Sequence, residues 1–192
     1  CSSLTHISIP SSVISFGKHV FDAIKTLVIT GDIKYFSDKL FRKCSPLVQI
    51  TILSSITSIC DYAFLGCSSL IQITIPSSVK KIGDFAFGGC SSLTQITVPS
   101  SVISICDSSY RECSSLTQIT IPSSVISIGN NSFERCTSLK QLIIPSSVTK
   151  IGNYAFSYCK SLTKITIPSS ITSIGEDAFS GCSSLIEISK LD

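Results

Sequence analysis

Hydrophobic and polar positions alternate over short stretches that return along the whole chain. In Leu70-Ile71-Gln72-Ile73-Thr74-Ile75 the Ile-Thr-Ile alternation has the two-residue period of a strand. Ile73 and Ile75 share one face, and Gln72 and Thr74 point the other way. Pro76 ends the strand, because proline has no N–H to give to a sheet. Ser77 and Ser78 turn the chain, Val79 and Ile82 open a second extended stretch, and Gly83 permits another bend. Asp84-Phe85-Ala86-Phe87 is too short for an independent helix, so the spacing predicts a single α or 3-10 turn with Asp84 near its N-cap. Asp61, Asp107, Asn130, Asn153 and Glu176 hold the same place elsewhere.

The pattern recurs at a fixed step. Cysteine falls at positions 44, 67, 90, 113, 136, 159 and 182, always 23 residues apart. Leucine keeps the step from Leu47 to Leu185, valine or isoleucine from Ile56 to Ile171, and an aromatic residue from Phe64 through Tyr110 to Phe179. The unit reads C-S-S-L-x-Q-I-T-I-P-S-S-V-x-S-I-G-x-x-A-F-x-G, in about eight copies. Cys1 opens a copy that loses three residues between Phe21 and Ile24. Ile24, Leu27, Ile29 and Ile33 then re-enter the Leu, Ile, Ile and Val columns, so residues 24–43 read as a degenerate copy. No linker interrupts residues 1–192, which are expected to form one array.

A single unit cannot bury its own Leu, Ile, Val, Ala and Phe. Stacking in register buries them all, and each strand then pairs in parallel with its copy in the next unit. At about 4.8 Å per strand the rod would be about 40 Å long. The expected fold is an α/β repeat: a right-handed solenoid with parallel sheets, short strands and single helical or 3-10 turns. The same residues resemble the BspA-like leucine-rich repeat, a 23-residue class with L-x-x-I-x-I-P, then S-V-x-x-I-G, then A-F-x-x-C; only residues 17–43 fit loosely. The resemblance implies a curved leucine-rich-repeat solenoid of the kind found on bacterial and protozoan surfaces, where such arrays serve adhesion and protein binding. Fold transfers well between repeat proteins; ligand does not.

Composition narrows the function. Among 192 residues, 43% are hydrophobic and 14% charged, with a net charge of +3. No apolar run reaches the ~18 residues of a membrane helix. Abundant Ile, Val, Leu and Phe exclude disorder. The small, scattered positive charge gives no nucleic-acid footprint. Methionine is absent, which suggests a segment of a longer array or a processed form, with any anchor elsewhere.

The ten cysteines admit disulfides, a metal or buried thiols. Equivalent residues of adjacent copies would lie about 4.8 Å apart with parallel side chains, poorly turned for a bridge. Zinc needs ligands converging on a point, and a straight ladder diverges. The pattern favours buried thiols, small hydrophobes whose S–H groups serve neighbouring carbonyls. Cys60 and Cys106 replace the glycine found at Gly83, Gly129, Gly152 and Gly175, and small-residue substitution is preferred to a local bridge with Cys67 or Cys113. No cofactor or metal is expected.

Catalytic signals are weak. His6, assigned to the Gln49 column, and His19 are the only histidines, and a Ser-His-Asp assembly would have to draw on His19 and Asp22. No nucleophile turn or phosphate loop is present. Asn130-Asn131-Ser132 is the one N-x-S sequon, but Ser132 falls in the usually buried Ala column, which favours a structural role. Lys80-Lys81 and Arg42-Lys43 read as solvated surface.

Two outward columns remain. One runs Gln49, Gln72, Gln95, Gln118, Gln141, Lys164; the other Thr51, Thr74, Thr97, Thr120, Ile143, Thr166. They are good strand formers, and they also form the ordered wall on which leucine-rich repeats display partner contacts. The reading is a non-enzymatic protein-binding or adhesive module using this concave face. Two alternatives stay open: an intracellular scaffold docking an enzyme such as a phosphatase, and an element that self-associates through uncapped ends. Resemblance implies a cell-surface location, with the cytoplasm as the alternative. At the carboxy end, Glu187, Lys190 and Asp192 are expected to act as a mild cap.

Overall fold

A computed structural model describes residues 6–8, 24–31, 40–53 and 55–191. The chain winds as a parallel β-solenoid of about seven turns. One strand series runs His6–Ser8, Thr26–Thr30, Gln49–Ile52, Gln72–Thr74, Gln95–Thr97, Gln118–Thr120, Gln141–Ile143, Lys164–Pro168 and Glu187–Leu191. A second, of two residues each, runs Ser58–Ile59, Lys81–Ile82, Ser104–Ile105, Ser127–Ile128, Lys150–Ile151 and Ser173–Ile174. Every recorded pairing is parallel, and like meets like: Gln49 faces Gln72, Gln95 faces Gln118, Ile128 faces Ile151. The amino-terminal register differs from expectation. His6 pairs with Val28 and Ile7 with Ile29, one residue short of the 23-residue step. His6 therefore joins the Thr51 column and not the Gln49 column, and no three-residue shift separates the first two strands.

The repeated apolar positions build one continuous interior. Leu47, Leu70, Leu93, Leu116, Leu139 and Leu162 are all fully buried, as are Val79, Val102, Val125 and Val148. Phe41, Phe64, Phe87, Tyr110, Phe133, Phe156 and Phe179 stack nearly parallel, with neighbouring ring centroids 5.1 to 5.6 Å apart. Each ring thus covers the next, which a lone unit could not arrange. Packing loosens in the last turn, where Phe179 and Leu185 are half-buried and Ile174 and Ile188 are 48% and 58% exposed. Of the charged residues expected to cap this end, Glu187 is exposed, while Asp192 and the Lys190 side chain lie outside the described residues.

The Ala-Phe segment is not a helical turn. No α- or 3-10 helix occurs among the described residues. Residues 60–67 instead make consecutive tight turns, closed by Ala63 N to Cys60 O, Leu65 N to Tyr62 O and Cys67 N to Phe64 O. The alternate N–H groups leave the coil altogether: Tyr62 N donates to Asp84 O, Phe64 N to Ala86 O and Gly66 N to Gly88 O. Tyr62 and Gly66 carry φ of +60° and +74°, and equivalent residues repeat this in later coils. A left-handed residue at the third place of a turn stops helical propagation and turns the intervening peptide toward the next coil.

Side chains complete the bonding between coils in three ladders. The Asp/Asn column does not cap a helix; it accepts from the next coil. Asp61 Oδ1 receives Asp84 N at 2.9 Å, Asp107 Oδ1 receives Asn130 N at 2.7 Å, and Asn153 Oδ1 receives Glu176 N at 2.9 Å. The second serine of the pair donates backward at Ser78, Ser101, Ser124, Ser147 and Ser170, as Ser124 Oγ does to Val102 O at 2.6 Å and Ser147 Oγ to Val125 O at 2.7 Å. The cysteine column donates backward as well, from Cys90 to Phe64 O, Cys113 to Phe87 O and Cys136 to Tyr110 O, each at 3.2 Å. These positions are thiols, matching the S–H-to-carbonyl reading. Burial pushes the Cys67 and Cys113 thiols from the ordinary 9.0 up to about 12.

Candidate functional site

The strand face presents its side chains as the alternation predicts. Gln49, Gln72, Gln95, Gln118, Gln141 and Lys164 are exposed, as are Thr74, Thr97, Thr120 and Ile143, while Thr51 and Thr166 are half-buried. The structure brings the two columns side by side because Ile50, Ile73, Ile96, Ile119, Leu142 and Ile165 between them turn inward. Uniformity breaks toward the carboxy end. Ile143 is 68% exposed beside Thr166, and Lys164 Nζ reaches Glu187 Oε1 at 2.9 Å. An exposed ion pair of this kind contributes at most about 1 kcal/mol to stability.

The turn side is more varied. Its second left-handed position holds Lys43, Gly66, Gly89, Glu112, Arg135, Tyr158 and Gly181 in successive coils. Arg111 Nε lies 3.0 Å from Glu134 Oε2, and the Arg135 guanidinium sits over the Tyr158 ring, 5.3 Å from its centroid. Lys43, Leu65, Gly66, Phe85, Gly88, Gly89, Arg111 and Glu112 surround a hollow of about 310 Å³. Pattern reading passed over this hollow, since it arises from what two glycines omit. Glycine at two consecutive copies of one column, Gly66 and Gly89, was the available signal.

Other candidate positions resolve into structure. His19 and Asp22 lie outside the described residues. Asn130, the sequon residue, is a rung: its Oδ1 receives Asn153 N at 2.8 Å and its Nδ2 donates to Asp107 Oδ2 at 3.2 Å. Ser132 is buried and donates to Gly129 O at 3.0 Å. Cys106 stands where a Cβ crowds the preceding rung; one built on Gly129 falls 2.5 Å from Asp107 Oδ1. Asp107 N beside Cys106 still donates to Asp84 Oδ1, at 3.1 Å. Among the described residues no cluster of His, Cys, Asp or Glu is arranged to hold a metal, and no helix is long and apolar enough to cross a membrane.

The repeat signature, the stacked coils and the aromatic ladder agree with comparison to known proteins. The profile of the BspA type leucine rich repeat region (6 copies) matches residues 1–117 and 103–190. The chain belongs to this leucine-rich-repeat family. A leucine-rich repeat protein of T. pallidum, TpLRR, has a crystal structure with a TM-score of 0.78 at 28% identity, over 84% of this chain and 78% of that one. A second, from Bacteroides ovatus, gives a TM-score of 0.74 at 25% identity over 97% of this chain. The match covers 63% of the Bacteroides protein, so this chain spans less than two thirds of it. No curated protein matches. Leucine-rich-repeat solenoids are generally interaction or surface modules and typically non-enzymatic.

Proposed function

We propose that this BspA-type array is a non-enzymatic module that binds a protein partner through its strand face. One observation carries the reading: the outward Gln and Thr columns stand in register from Gln49 to Thr166 over a floor consumed by the core. That arrangement offers amides and hydroxyls at a regular spacing to an extended surface, as solenoid binding faces do. The contact set is Gln49 to Lys164 in one column and Thr51 to Thr166 in the other, with Ile143 as an apolar anchor where the columns change. Residues 1–192 act as one array, and adhesion at a cell surface is the setting the family favours.

Replacing Gln72, Gln95 and Gln118 together with lysine tests the face. Immobilised array should capture its partner from a source-cell extract, and the triple variant, equally folded, should lose it. Unchanged capture overturns the assignment. Protease shaving of intact source cells tests the setting: removal of the segment supports a surface adhesin, and protection moves the intracellular scaffold ahead. Light scattering addresses self-association, which a monodisperse monomer at high concentration rejects.

A further inference from the structure

The hollow on the turn side repeats, with one part missing, an arrangement the protein completes elsewhere. In the coils holding Arg135, Tyr158 and Gly181, the Tyr158 ring lies directly over the Gly181 backbone, since a Cβ built on that glycine would fall 2.6 Å from Tyr158 Cδ1. Arg135 covers the other side of the ring at 5.3 Å. The order is cation, ring, glycine. Lys43, Gly66 and Gly89 occupy the same column in three earlier consecutive coils. There the order is cation, nothing, glycine.

Apart from Glu112, which pairs with Arg111 at 3.7 Å, the remaining walls suit a ring. The Lys43 stem leans over Gly66, its Cγ 3.4 Å from the place of a Cβ. Gly89 is bare except for the Gly66 backbone, and Gly88 touches the Leu65 and Phe85 side chains. Arg111 is engaged by Glu134 at 3.0 Å. The Lys43 ammonium pairs with no carboxylate among the described residues, which leaves it available to the face of a ring. The volume of about 310 Å³ is at the small end of the range for ligand pockets.

We propose that this hollow is a docking site for an aromatic side chain on a protein partner, seated over Gly66 and Gly89 beneath Lys43 as Tyr158 is seated over Gly181 beneath Arg135. The site lies on the turn segment, apart from the Gln and Thr columns, and stands whether or not the strand face binds. A tyrosine-bearing segment enters edgewise between Phe85 and the Lys43 stem and buries its ring against Leu65.

The test uses the whole chain and two acetylated, amidated tripeptides, Gly-Tyr-Gly and Gly-Ala-Gly, titrated to millimolar concentration while the amide NMR signals of Gly66, Gly88 and Gly89 are followed. Saturable shifts with the tyrosine peptide and none with the alanine peptide are expected. Gly66→Tyr supplies the missing ring from within; the same column already carries Lys43, Glu112, Arg135 and Tyr158 at positive φ, so the coil accepts it. That variant should abolish the shifts at Gly88 and Gly89 with thermal unfolding retained, and Lys43→Ala should weaken binding about 3-fold or more. Equal shifts with both peptides, no saturation, or full binding by Gly66→Tyr overturns the proposal. A strand-face variant, Gln72→Lys, should leave this titration unchanged, so failure here and failure of the strand-face reading are separate results.

Discussion

The strand side and the turn side of each coil satisfy their backbone in different ways. On the strand side, neighbouring coils exchange main-chain bonds in register, as Gln141 to Lys164 and Ile143 to Thr166 do. Among the described residues the Gln and Thr side chains of this face are not needed by the neighbouring main chain, and can repeat; Lys164 and Thr166 bond only other side chains, Glu187 and Ser189. On the turn side, the chain bends repeatedly within residues 60–67, so main-chain bonds alternate between closing the turn and reaching the next coil. Groups left over are met by Asp61, Asp107 and Asn130 side chains and by the cysteine thiols. Regular backbone therefore goes with an interchangeable surface, and irregular backbone with fixed rungs and variable residues between them.

Breaking the shared core should have the largest effect. Phe133→Ala removes a fully buried ring stacked 5.3 Å from both Tyr110 and Phe156, at a cost of about 3–5 kcal/mol; unaltered thermal unfolding would disprove the stacking. Alkaline pH should come next, acting through the buried thiols. The folded thiols of Cys67 and Cys113 sit near 12 against 9.0 for the ordinary group. The unfolded chain thus ionises first, and stability present below pH 9 is lost progressively between pH 9 and 12. Urea midpoints across that range, compared with a variant carrying Ala at both cysteines, measure it; equal slopes would remove Cys67 and Cys113 from the account.

Smaller effects sharpen the contrast. Asp107→Ala takes the acceptor from Asn130 N and Nδ2 and should cost about 1–2 kcal/mol. Tyr110→Phe should raise stability by about 1 kcal/mol, because the buried Tyr110 hydroxyl has no hydrogen-bond partner among the described residues; a lower melting temperature would show that the hydroxyl is bonded. Gln95→Lys on the strand face should change stability by no more than about 0.5 kcal/mol. A larger loss would mean that the glutamines support the fold.

The columns from Leu47 to Leu162 and from Phe64 to Phe156 were legible because a constant step can bury them all only by stacking. The strands were legible from their two-residue alternation. Turn conformation was not. Tyr62 and Phe85 adopt positive φ without being glycine, so no residue type announced it, and Asp84 suits a helix cap as well as a rung. The role of the second serine was hidden too, since Ser-Ser reads as a turn until Val102 O and Ser124 are seen together. His6 was misplaced because the first two copies were aligned with a three-residue loss, whereas their strands fall only one residue short of the regular step. As for the candidate site, alternation alone placed Gln72 and Thr74 outward, but the missing ring over Gly89 required coordinates.

The serine and cysteine rungs all hand their hydrogens backward, to a carbonyl on the winding already laid down. A newly added winding therefore finds its acceptors waiting, whichever winding precedes it. Excising one whole period, for instance residues 91–113, should leave a shorter protein whose cut ends meet matching neighbours. Growth and shrinkage by whole periods are in this sense written into the direction of those bonds.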